Sequence, residues 1–304
     1  MNDINLSFEN WLQNAVSAVD EQLEQALPAV IEEPEVLHEA MRYACLGAGK
    51  RVRAALVYAA GQACSTQLTL EPSLTQALSH AAAAVELIHA YSLVHDDLPC
   101  MDDDVMRRGK PTLHIAYGES LALLAADAMQ PLAFEQLSNM PVAPALIVQA
   151  IQVLARASGS LGMVGGQVID TQNTDQIISI DKLQQMHRLK TGAMIEGSVL
   201  MGAICAAANF ETRNALEAYG AAIGLAFQVV DDILDVTADS QELGKTAGKD
   251  AQNNKPTYVS IMGLEESKAF AEQLYQAALQ SILPLGPQAN RLRELAHFII
   301  RRDN

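Results

Sequence analysis

The chain has 304 residues, of which half are hydrophobic and 5% aromatic, and its net charge is −16 because 36 acidic side chains face 20 basic ones. Such a charge argues against a nucleic-acid-binding protein, since phosphates select basic surfaces. Aromatic and β-branched runs are scarce, which favours an all-α fold. No low-complexity linker divides the chain, so we expect a single domain over residues 1–304.

The cysteines and the N-terminus indicate a cytoplasmic protein. Cysteines occur four times, without a CxxC pair or a histidine at zinc-site spacing, at Cys45, Cys64, Cys100 and Cys205. This is typical of reduced cysteines in or near a core. Residues 1–20 lack the basic and apolar regions of a signal peptide. No apolar stretch free of charges and small polar residues reaches membrane-spanning length, so we expect no stable membrane association.

The first motif along the chain is a basic segment, GAGKRVR, at residues 47–53. It superficially resembles a P-loop. The first glycine of that motif would fall on Ala44, however, and an arginine follows Lys50 where Ser or Thr is required. Three cations within four residues of an acidic chain still predict a clamp for a diphosphate, formed by Lys50, Arg51 and Arg53.

A helix without Gly or Pro is predicted over about residues 74–97, and the first aspartate cluster, DDLPCMDDD, begins at its end. Carboxylates at the C-terminus of an apolar helix oppose the helix dipole and are costly to bury, so capping explains them poorly. They are suitable ligands for Mg²⁺, which prefers carboxylates, water and phosphates. Asp96 and Asp102 would point about 120° apart on a regular helix. Pro99 breaks the helix, and a bulge there can bring Asp102 back beside Asp96.

Histidines and arginines accompany this cluster. His89 lies seven residues before Asp96 on the same helical face. A lone helical histidine is more often a hydrogen-bonded core residue than a ligand. His95 followed by Asp96 mimics the metal-binding dyad of helical phosphohydrolases. Arg107 and Arg108 add two cations just after the cluster.

The second aspartate cluster, DDILD, ends a helix predicted over about residues 214–235. Asp231 and Asp235 are four residues apart and share a helical face, so they predict a second set of ligands for a divalent cation. Gly220 and Gly224 lie further back on this face. They indicate either close helix packing or the wall of an elongated apolar cavity. Isolated phosphate candidates are Lys190 with Thr191, Lys245, Lys249 and Lys255, each of which alone is more often a surface lysine.

Together these motifs resemble those of the trans-isoprenyl diphosphate synthases, and most closely the bacterial farnesyl diphosphate synthases. Six stretches follow the family's order: GAGKRVR (47–53), HAYSLVHDDLPCMDDDVMRRGKPTLH (89–114), GMVGGQVID (162–170), HRLKTGAMI (187–195), FQVVDDILDVT (227–237) and LGKTAGKD (243–250). The ending HFIIRRDN is also similar. The chain departs from the family at Ala48-Gly49 and at Asn254-Lys255-Pro256, without losing a side chain to which the resemblance gives a role.

The resemblance implies an isoprenoid synthase fold, in which a single polyprenyl synthetase domain surrounds a deep central cavity with helices, and usually a homodimer. It implies Mg²⁺, with three ions when substrate is bound, held by Asp96, Asp102 and Asp231 with assistance from Asp97 and Asp235. Positions matching those that bind isopentenyl diphosphate are Lys50, Arg53, His89 and Arg108. Positions matching those that bind the allylic diphosphate are Arg107, Lys190, Thr191, Gln228 and Lys245. Gln167 and Asp170 match residues that support the metal site.

The implied reaction is the head-to-tail condensation of isopentenyl diphosphate with dimethylallyl or geranyl diphosphate. Mg²⁺ and cationic side chains neutralise the departing diphosphate, which then serves as the base because no side-chain base is evident. The Lys190 carbonyl and the Thr191 hydroxyl are placed to steady the allylic cation. Tyr91 lies five residues before Asp96, where an aromatic side chain in this family limits chain growth. We therefore expect a C15 product, farnesyl diphosphate, unless Tyr91 is only a core residue.

Other functions remain open. A geranyl or geranylgeranyl diphosphate synthase would differ only in product length. A terpene cyclase also uses aspartates and Mg²⁺ but would be expected to lack the basic clamp and to have a more aromatic cavity. A His-Asp phosphohydrolase would need more histidines around the metal. A non-catalytic partner subunit would usually have lost one aspartate cluster, and this chain has both.

Overall fold

The computed structural model describes residues 6–47, 49–65, 70–174, 176–237 and 255–301. The chain divides into two compact units, one formed by residues 1–58 and 67–151 and the other by residues 59–66 and 152–304. Helices dominate both units, which confirms the predicted all-α class. The expectation of a single domain stays a prediction. The two units are described one after the other.

The first unit contains a long core helix surrounded by shorter ones. Its elements are α1 (Phe8–Ala26), α2 (Glu35–Cys45), α3 (Val52–Ala63), α4 (Pro72–Asp96), β1 (Met106–Arg107), β2 (Lys110–Pro111), α5 (Leu113–Tyr117), α6 (Glu119–Ser138) and α7 (Pro144–Ser158). The last residues of α3 and of α7 belong to the second unit. The helix α4 packs against α1, α2 and α6. Its many alanines allow this burial on several sides, and it carries the first aspartate cluster at its end.

Two helical stretches among the described residues are long and apolar enough to cross a membrane, judged by length and composition only. They are Pro72–Asp96, which is 78% buried inside the protein, and Pro144–Gln172, which is 33% buried. The first has the composition expected of a core helix, and a break between α7 and the next helix interrupts the second. Both stretches contain charged and small polar side chains, and a buried core helix meets the same criterion, so the expectation of no stable membrane association stays a prediction.

A short hairpin is the one described strand pair, and the sequence analysis found no signal for it. In it β1 pairs antiparallel with β2, with Arg107 opposite Lys110. The two turn residues both have left-handed backbones, with φ of 51° at Arg108 and 76° at Gly109. This conformation suits a two-residue hairpin loop and is easy for glycine. Each strand has only two residues, which is too few to show the alternation of apolar and polar residues that predicts a strand.

The second unit is built around one long helix. Its elements are α8 (Met163–Gln172), α9 (Ile180–His187), a π-helical segment (Arg188–Gly192), α10 (Ala193–Cys205), α11 (Phe210–Thr237), α12 (Tyr258–Met262), α13 (Leu264–Ser281), a 3₁₀ segment (Leu283–Ala289) and α14 (Asn290–Ile300). The helix α11 packs against α10, α13 and the π-helical segment. It carries the second aspartate cluster in its last two turns.

The glycines of α11 allow its neighbours to approach closely. A Cβ atom at Gly224 would lie 2.8 Å from the Gly192 Cα, and one at Gly220 would lie 2.8 Å from the Glu196 Cα. Real Cβ atoms do not approach backbone atoms so closely. Of the two explanations offered for these glycines, close packing is therefore the one that applies.

Candidate active site

The chain folds back on itself immediately after α4. The backbone N–H of Asp102 donates a hydrogen bond to the carbonyl oxygen of Asp96 at 2.8 Å, and Met101 and Asp103 both donate to the carbonyl of Leu98. Asp103 has a left-handed backbone with φ of 50°. These bonds reverse the chain around Pro99 and bring Asp102 next to Asp96. The reversal predicted from Pro99 is thus present in the backbone.

Asp97, to which the resemblance gives an assisting role at the metal, is paired with an arginine. The residue is only 3% exposed. Its carboxylate accepts hydrogen bonds from Arg107, with Nε at 2.8 Å from Oδ1 and 2.9 Å from Oδ2, and Nη2 at 2.6 Å from Oδ1. Burial raises the pKa of the Asp97 carboxyl, and the hydrogen bonds from Arg107 offset part of that rise. Because the guanidinium engages both carboxylate oxygens, the two side chains fix each other's position.

Arg51 is not part of a diphosphate clamp, which corrects the prediction made from GAGKRVR. Its side chain is buried and donates to Asp20 at 3.0 Å, to Glu86 at 3.2 Å and to the Cys45 carbonyl at 2.7 Å. Two carboxylates already neutralise it. Of the predicted clamp, Lys50 is exposed and Arg53 is partly exposed.

His89 lies in a strongly positive environment within the first unit. Burial, followed by the charges of Arg53, Arg108, Arg107 and Arg51, lowers the pKa of His89 well below its ordinary value. The imidazole is therefore neutral near pH 7 and can donate one N–H. Several cations close together repel one another unless an anion neutralises them, so this arrangement favours the binding of an anion.

A pocket in the first unit joins the basic residues to the aspartate cluster. Its lining includes Gly47, Asp97, Arg107, Arg108 and Lys110. A Cβ atom at Gly49 would lie 2.9 Å from Arg108 Nη1, so glycine lets the guanidinium lie against the backbone.

Lys110 is a pocket residue to which the sequence analysis gave no role. Its Nζ lies 5.8 Å from the centroid of the Tyr43 ring, and it is the hairpin partner of Arg107. The hairpin brings Lys110 to the pocket. The turn in the sequence RRGKP, had it been recognised, would have predicted this position for Lys110.

Tyr91 and His95 pack against each other on α4. Tyr91 is 6% exposed, and its ring meets the His95 ring edge-on at 5.6 Å between centroids. An oxygen of Asp127 on α6 lies 3.9 Å from the Nε2 of His95. His95 thus faces Asp127, which does not support the phosphohydrolase dyad with Asp96.

The second aspartate cluster separates into residues with different environments. Asp232 is buried and accepts from Gln228 Nε2 at 3.0 Å and from the Tyr258 backbone N–H at 2.8 Å, so it joins α11 to α12. Asp235 is also buried, and its Oδ1 has no hydrogen-bond partner within the described part of the chain. A buried carboxylate oxygen of this kind is costly unless a cation or water meets it. Asp235 and the partly exposed Asp231 therefore fit a divalent cation.

The π-helical segment holds the predicted Lys190 and Thr191. Lys190 Nζ donates to Asp170 Oδ2 at 2.5 Å, and the Thr191 hydroxyl donates to Gln228 Oε1 at 3.1 Å. A Cβ atom at Gly166 would lie 2.1 Å from the Lys190 nitrogen, so α8 packs directly on the segment. π-helical turns are rare and frequent at functional sites.

Asp170 is the negatively charged partner of Lys190 in the second unit. Burial opposes its ionisation, but the charge of Lys190 and their hydrogen bond, with a further contribution from Lys255, lower the pKa of Asp170 overall. Asp170 therefore stays ionised and fixes Lys190. Lys245 and Lys249 lie outside the described residues, as do Ala48 and the stretch LGKTAGKD.

The described residues do not form a complete metal site from protein ligands alone. Within the described ranges, no three His, Cys, Asp or Glu side chains are gathered closely enough to hold an ion. This agrees with the chemistry of Mg²⁺, which keeps several waters and binds one or two carboxylates together with substrate phosphates. The carboxylates of both clusters have the donor chemistry that such an ion requires.

Comparison with known proteins gives the same family throughout. The polyprenyl synthetase family model matches residues 34–282. A probable farnesyl diphosphate synthase of Bradyrhizobium diazoefficiens is 45% identical, over 94% of this chain and 86% of the relative. The farnesyl diphosphate synthase of Haemophilus influenzae is 43% identical, over 97% of this chain and 98% of the relative. A chloroplastic geranylgeranyl pyrophosphate synthase of Catharanthus roseus is also 43% identical, over 98% of this chain and 82% of the relative.

Solved structures show the same fold. A Zymomonas mobilis FPP/GFPP synthase superposes with a TM-score of 0.84 at 35% identity, over 96% of this chain and 98% of that one. A Helicobacter pylori geranyltransferase, complexed with magnesium and isoprenyl diphosphate, superposes with a TM-score of 0.83 at 31% identity, over 98% and 97%. The matched family model spans most of both units, and the likeness in sequence and in fold extends over nearly the whole chain. The chain therefore belongs to the polyprenyl synthetase family.

Proposed function

We propose that this chain is a Mg²⁺-dependent prenyltransferase that condenses isopentenyl diphosphate with dimethylallyl or geranyl diphosphate to give (2E,6E)-farnesyl diphosphate and diphosphate. The observation that carries the proposal is the pocket lined by Arg107, Arg108 and Lys110, in the same unit as the fold-back that joins Asp96 to Asp102. Burial and the charges of arginines in this unit also lower the pKa of His89. One unit thus offers both an anion site and metal-binding carboxylates. The farnesyl diphosphate synthases among the relatives support this activity.

The basic residues of the first unit form the site that we propose for isopentenyl diphosphate. The residues are Lys50, Arg53, His89 and Arg108. Guanidinium groups suit this task because they bind phosphate oxygens in pairs and stay charged at all relevant pH values. A neutral His89 adds a donor without adding to the repulsion among the cations. Arg51, neutralised by Asp20 and Glu86, supports the loop and takes no part in binding.

Each unit has its own proposed residues for the metal and the allylic diphosphate. The carboxylates are Asp96 and Asp102 in the first unit and Asp231 and Asp235 in the second, and the Helicobacter pylori structure with magnesium and isoprenyl diphosphate supports this use of the family's fold. When bound, Mg²⁺, in our proposal three ions, neutralises charge that develops on the departing diphosphate. The proposed cationic and polar ligands of that diphosphate are Arg107, Lys190, Thr191, Gln228 and Lys245.

The chain's own side chains orient the reactants. Asp170 fixes the Lys190 ammonium at 2.5 Å, so this cation does not have to be ordered when the diphosphate binds. Gln228 accepts the Thr191 hydrogen, which leaves the hydroxyl oxygen lone pairs to face the allylic cation. The double bond of isopentenyl diphosphate then attacks that cation, and the released diphosphate removes the proton, because no side-chain base is evident.

Product length is the point at which relatives differ. Geranylgeranyl pyrophosphate synthases are as similar to this chain as some farnesyl diphosphate synthases. The buried Tyr91, more than one turn before Asp96, favours the C15 product. A terpene cyclase is less well supported, because it would have no use for the basic group around His89.

We also propose a cytoplasmic homodimer. Leu123 and Leu124 on α6 are 45% and 55% exposed, and, because the resemblance implies a homodimer, we propose that the second chain covers this part of α6. Light scattering should give twice the chain mass of 32.7 kDa. Leu124→Lys should reduce it to one chain mass, whereas the control Leu283→Lys, at another exposed leucine, should not. An unchanged dimer in the α6 variant would place the interface elsewhere.

The activity is tested by product analysis. Purified protein with Mg²⁺, isopentenyl diphosphate and either dimethylallyl or geranyl diphosphate should accumulate a C15 diphosphate, identified by mass. Asp102→Asn should lower turnover by at least about 100-fold, the range seen when one electrostatic group at a reacting centre is lost. Asp103→Asn removes a charge from an exposed neighbour in the same loop and should leave turnover within about threefold. Folded protein without elongation would overturn the proposed function, and a C10 or C20 product would overturn only the chain-length argument.

A further inference from the structure

Asp97 and Arg107 form the best-defined ion pair of the first unit. Three contacts of 2.6–2.9 Å join the guanidinium to both carboxylate oxygens. The carboxylate is nearly inaccessible, and the guanidinium is partly exposed at the pocket that Arg108 and Lys110 also line. Asp97 thus lies inside the protein, whereas Arg107 faces the pocket.

The surroundings of Arg107 add to this fixation. Its backbone belongs to β1, opposite Lys110 in the hairpin. Its Nε and Nη2 are held by Asp97, so Nη1 is the guanidinium nitrogen that Asp97 does not use. An arginine side chain without such a partner samples many rotamers, which costs about 2 kcal/mol when it is ordered.

We propose that Asp97 is a positioning residue that orders Arg107 for the diphosphate, and that it is not a metal ligand. This inference rests on the proposed function, in which Arg107 binds the allylic diphosphate. It gives Asp97 a role different from that of its neighbour Asp96 and from that of Asp102, which the fold-back brings next to Asp96. Adjacent aspartates of one motif then have different roles, one toward the metal and one toward an arginine.

The two roles predict opposite effects of Asp97→Asn on anion binding without metal. The substitution removes a negative charge beside an anion site, so by electrostatics alone it would tighten the binding of an anion. If Asp97 orders Arg107, the same substitution loosens that arginine and weakens binding. The sign of the change in affinity therefore distinguishes the roles.

The probe is inorganic pyrophosphate, measured by titration calorimetry in EDTA. We expect Asp97→Asn to weaken its binding about tenfold, the loss of roughly one charge-assisted hydrogen bond. Asp103→Asn, in the same loop but exposed, should leave the affinity unchanged or slightly tighter. Tighter or unchanged binding in Asp97→Asn would overturn the proposal. Thermal melting confirms that each variant is folded.

A second comparison holds even if the single variant does not fold. Arg107→Gln and the double variant Asp97→Asn with Arg107→Gln both lack the arginine that Asp97 would position. With Mg²⁺ added, we expect the same half-saturating Mg²⁺ concentration for pyrophosphate binding in both. A several-fold higher Mg²⁺ requirement in the double variant would show that Asp97 is a metal ligand.

Steady-state kinetics complete the test. Asp97→Asn should raise the KM for the allylic diphosphate and change the KM for isopentenyl diphosphate less. When Arg107→Gln is already present, adding Asp97→Asn should have no further effect on either KM. Additive effects of the two substitutions would contradict the proposal. If the protein condensed no prenyl diphosphates but Asp97→Asn still weakened pyrophosphate binding in EDTA, the proposed function would fail and the positioning role would stand.

Discussion

In the proposed site, His89 illustrates how a single residue suits an anion. Burial and the charges of four arginines lower the pKa of its imidazole and keep it neutral, so in this proposal it offers a hydrogen bond where another cation would be repelled. Arg51 and Arg53 are two residues apart, yet Arg51 is neutralised by Asp20 and Glu86. Local partners, more than residue type, therefore decide which of the arginines serve the ligand.

Tyr91 gives the sharpest prediction for a single side chain. It is buried and packs edge-on against His95, five residues before Asp96. If its ring ends the space available to the growing chain, Tyr91→Ala opens that space and shifts the main product from C15 to C20 or longer. The product diphosphates are dephosphorylated and their chain lengths measured by mass spectrometry.

Tyr91→Phe is the matched control for this prediction. It keeps the ring and removes only the hydroxyl, so the product should remain C15. A Tyr91→Ala enzyme that still stops at C15 would show that the residue only fills the core. Loss of all turnover in Tyr91→Ala would instead indicate that the side chain supports the neighbouring Asp96.

Among the secondary-structure elements, the π-helical segment carries two residues of the proposed allylic diphosphate site. It carries Lys190 and Thr191, and two glycines of other helices pack on it: Gly166 of α8 against Lys190, and Gly224 of α11 against Gly192. A side chain at either glycine would meet backbone atoms. The segment therefore depends on close packing to hold its two polar side chains in place.

Gly224→Ala tests this dependence. Alanine favours a helix by about 0.5–1 kcal/mol over glycine, so propensity alone predicts a more stable protein. The contact with the Gly192 Cα at 2.8 Å should reverse that sign, because overpacking typically costs about 1–3 kcal/mol. We expect a lower stability in urea and a lower kcat, since the displaced segment carries Lys190.

Ala221→Gly on the same helix is the control, because Ala221 is exposed. Ala221→Gly should lower the free energy of unfolding only by the difference in helix propensity, about 0.5–1 kcal/mol, and should leave kcat unchanged. A Gly224→Ala enzyme that is more stable than the wild type would mean that the segment moves aside without cost.

The long helices and the fold-back were predictable from the sequence, whereas the ion pairs were not. The helices α4 and α11 follow from runs without proline, and Pro99 is sufficient to predict the reversal. The partners of Arg51 and of Arg107 depend on which helices meet, and periodicity does not specify that. The π-helical segment has no composition that distinguishes it from an α-helix, and the hairpin was too short to show alternation.

The distribution of charge over the whole chain is uneven. The net charge is −16, yet the first unit gathers arginines around His89. The acidic excess as a whole therefore repels a diphosphate, whereas the basic residues near His89 attract it. Acid stability is a further property of the whole molecule, because it depends on every group whose pKa changes on unfolding.

His187 makes a specific contribution to acid stability. It is buried beside the Tyr258 ring, and its Nδ1 has no hydrogen-bond partner among the described residues. Burial lowers the pKa of His187 to about 3, with Asp170 opposing and Lys190 adding to the shift. The ordinary value is about 6.5. Between these values the unfolded chain binds a proton that the folded protein does not, so stability is complete above about pH 6.5 and falls as the pH is lowered.

The expected loss is about 1.4 kcal/mol per pH unit below 6.5. Urea unfolding at pH 7.5 and 5.5 should therefore show the wild type losing about 1–1.5 kcal/mol more than His187→Gln, whose side chain does not titrate. The Asp170 carboxyl does not interfere, because its lowered pKa affects stability only below about pH 4, near its ordinary value. His297→Gln, at an exposed histidine of α14, should behave as the wild type. Equal losses in the wild type and His187→Gln would mean that His187 accepts its proton in the folded protein, and that the core around Tyr258 admits water.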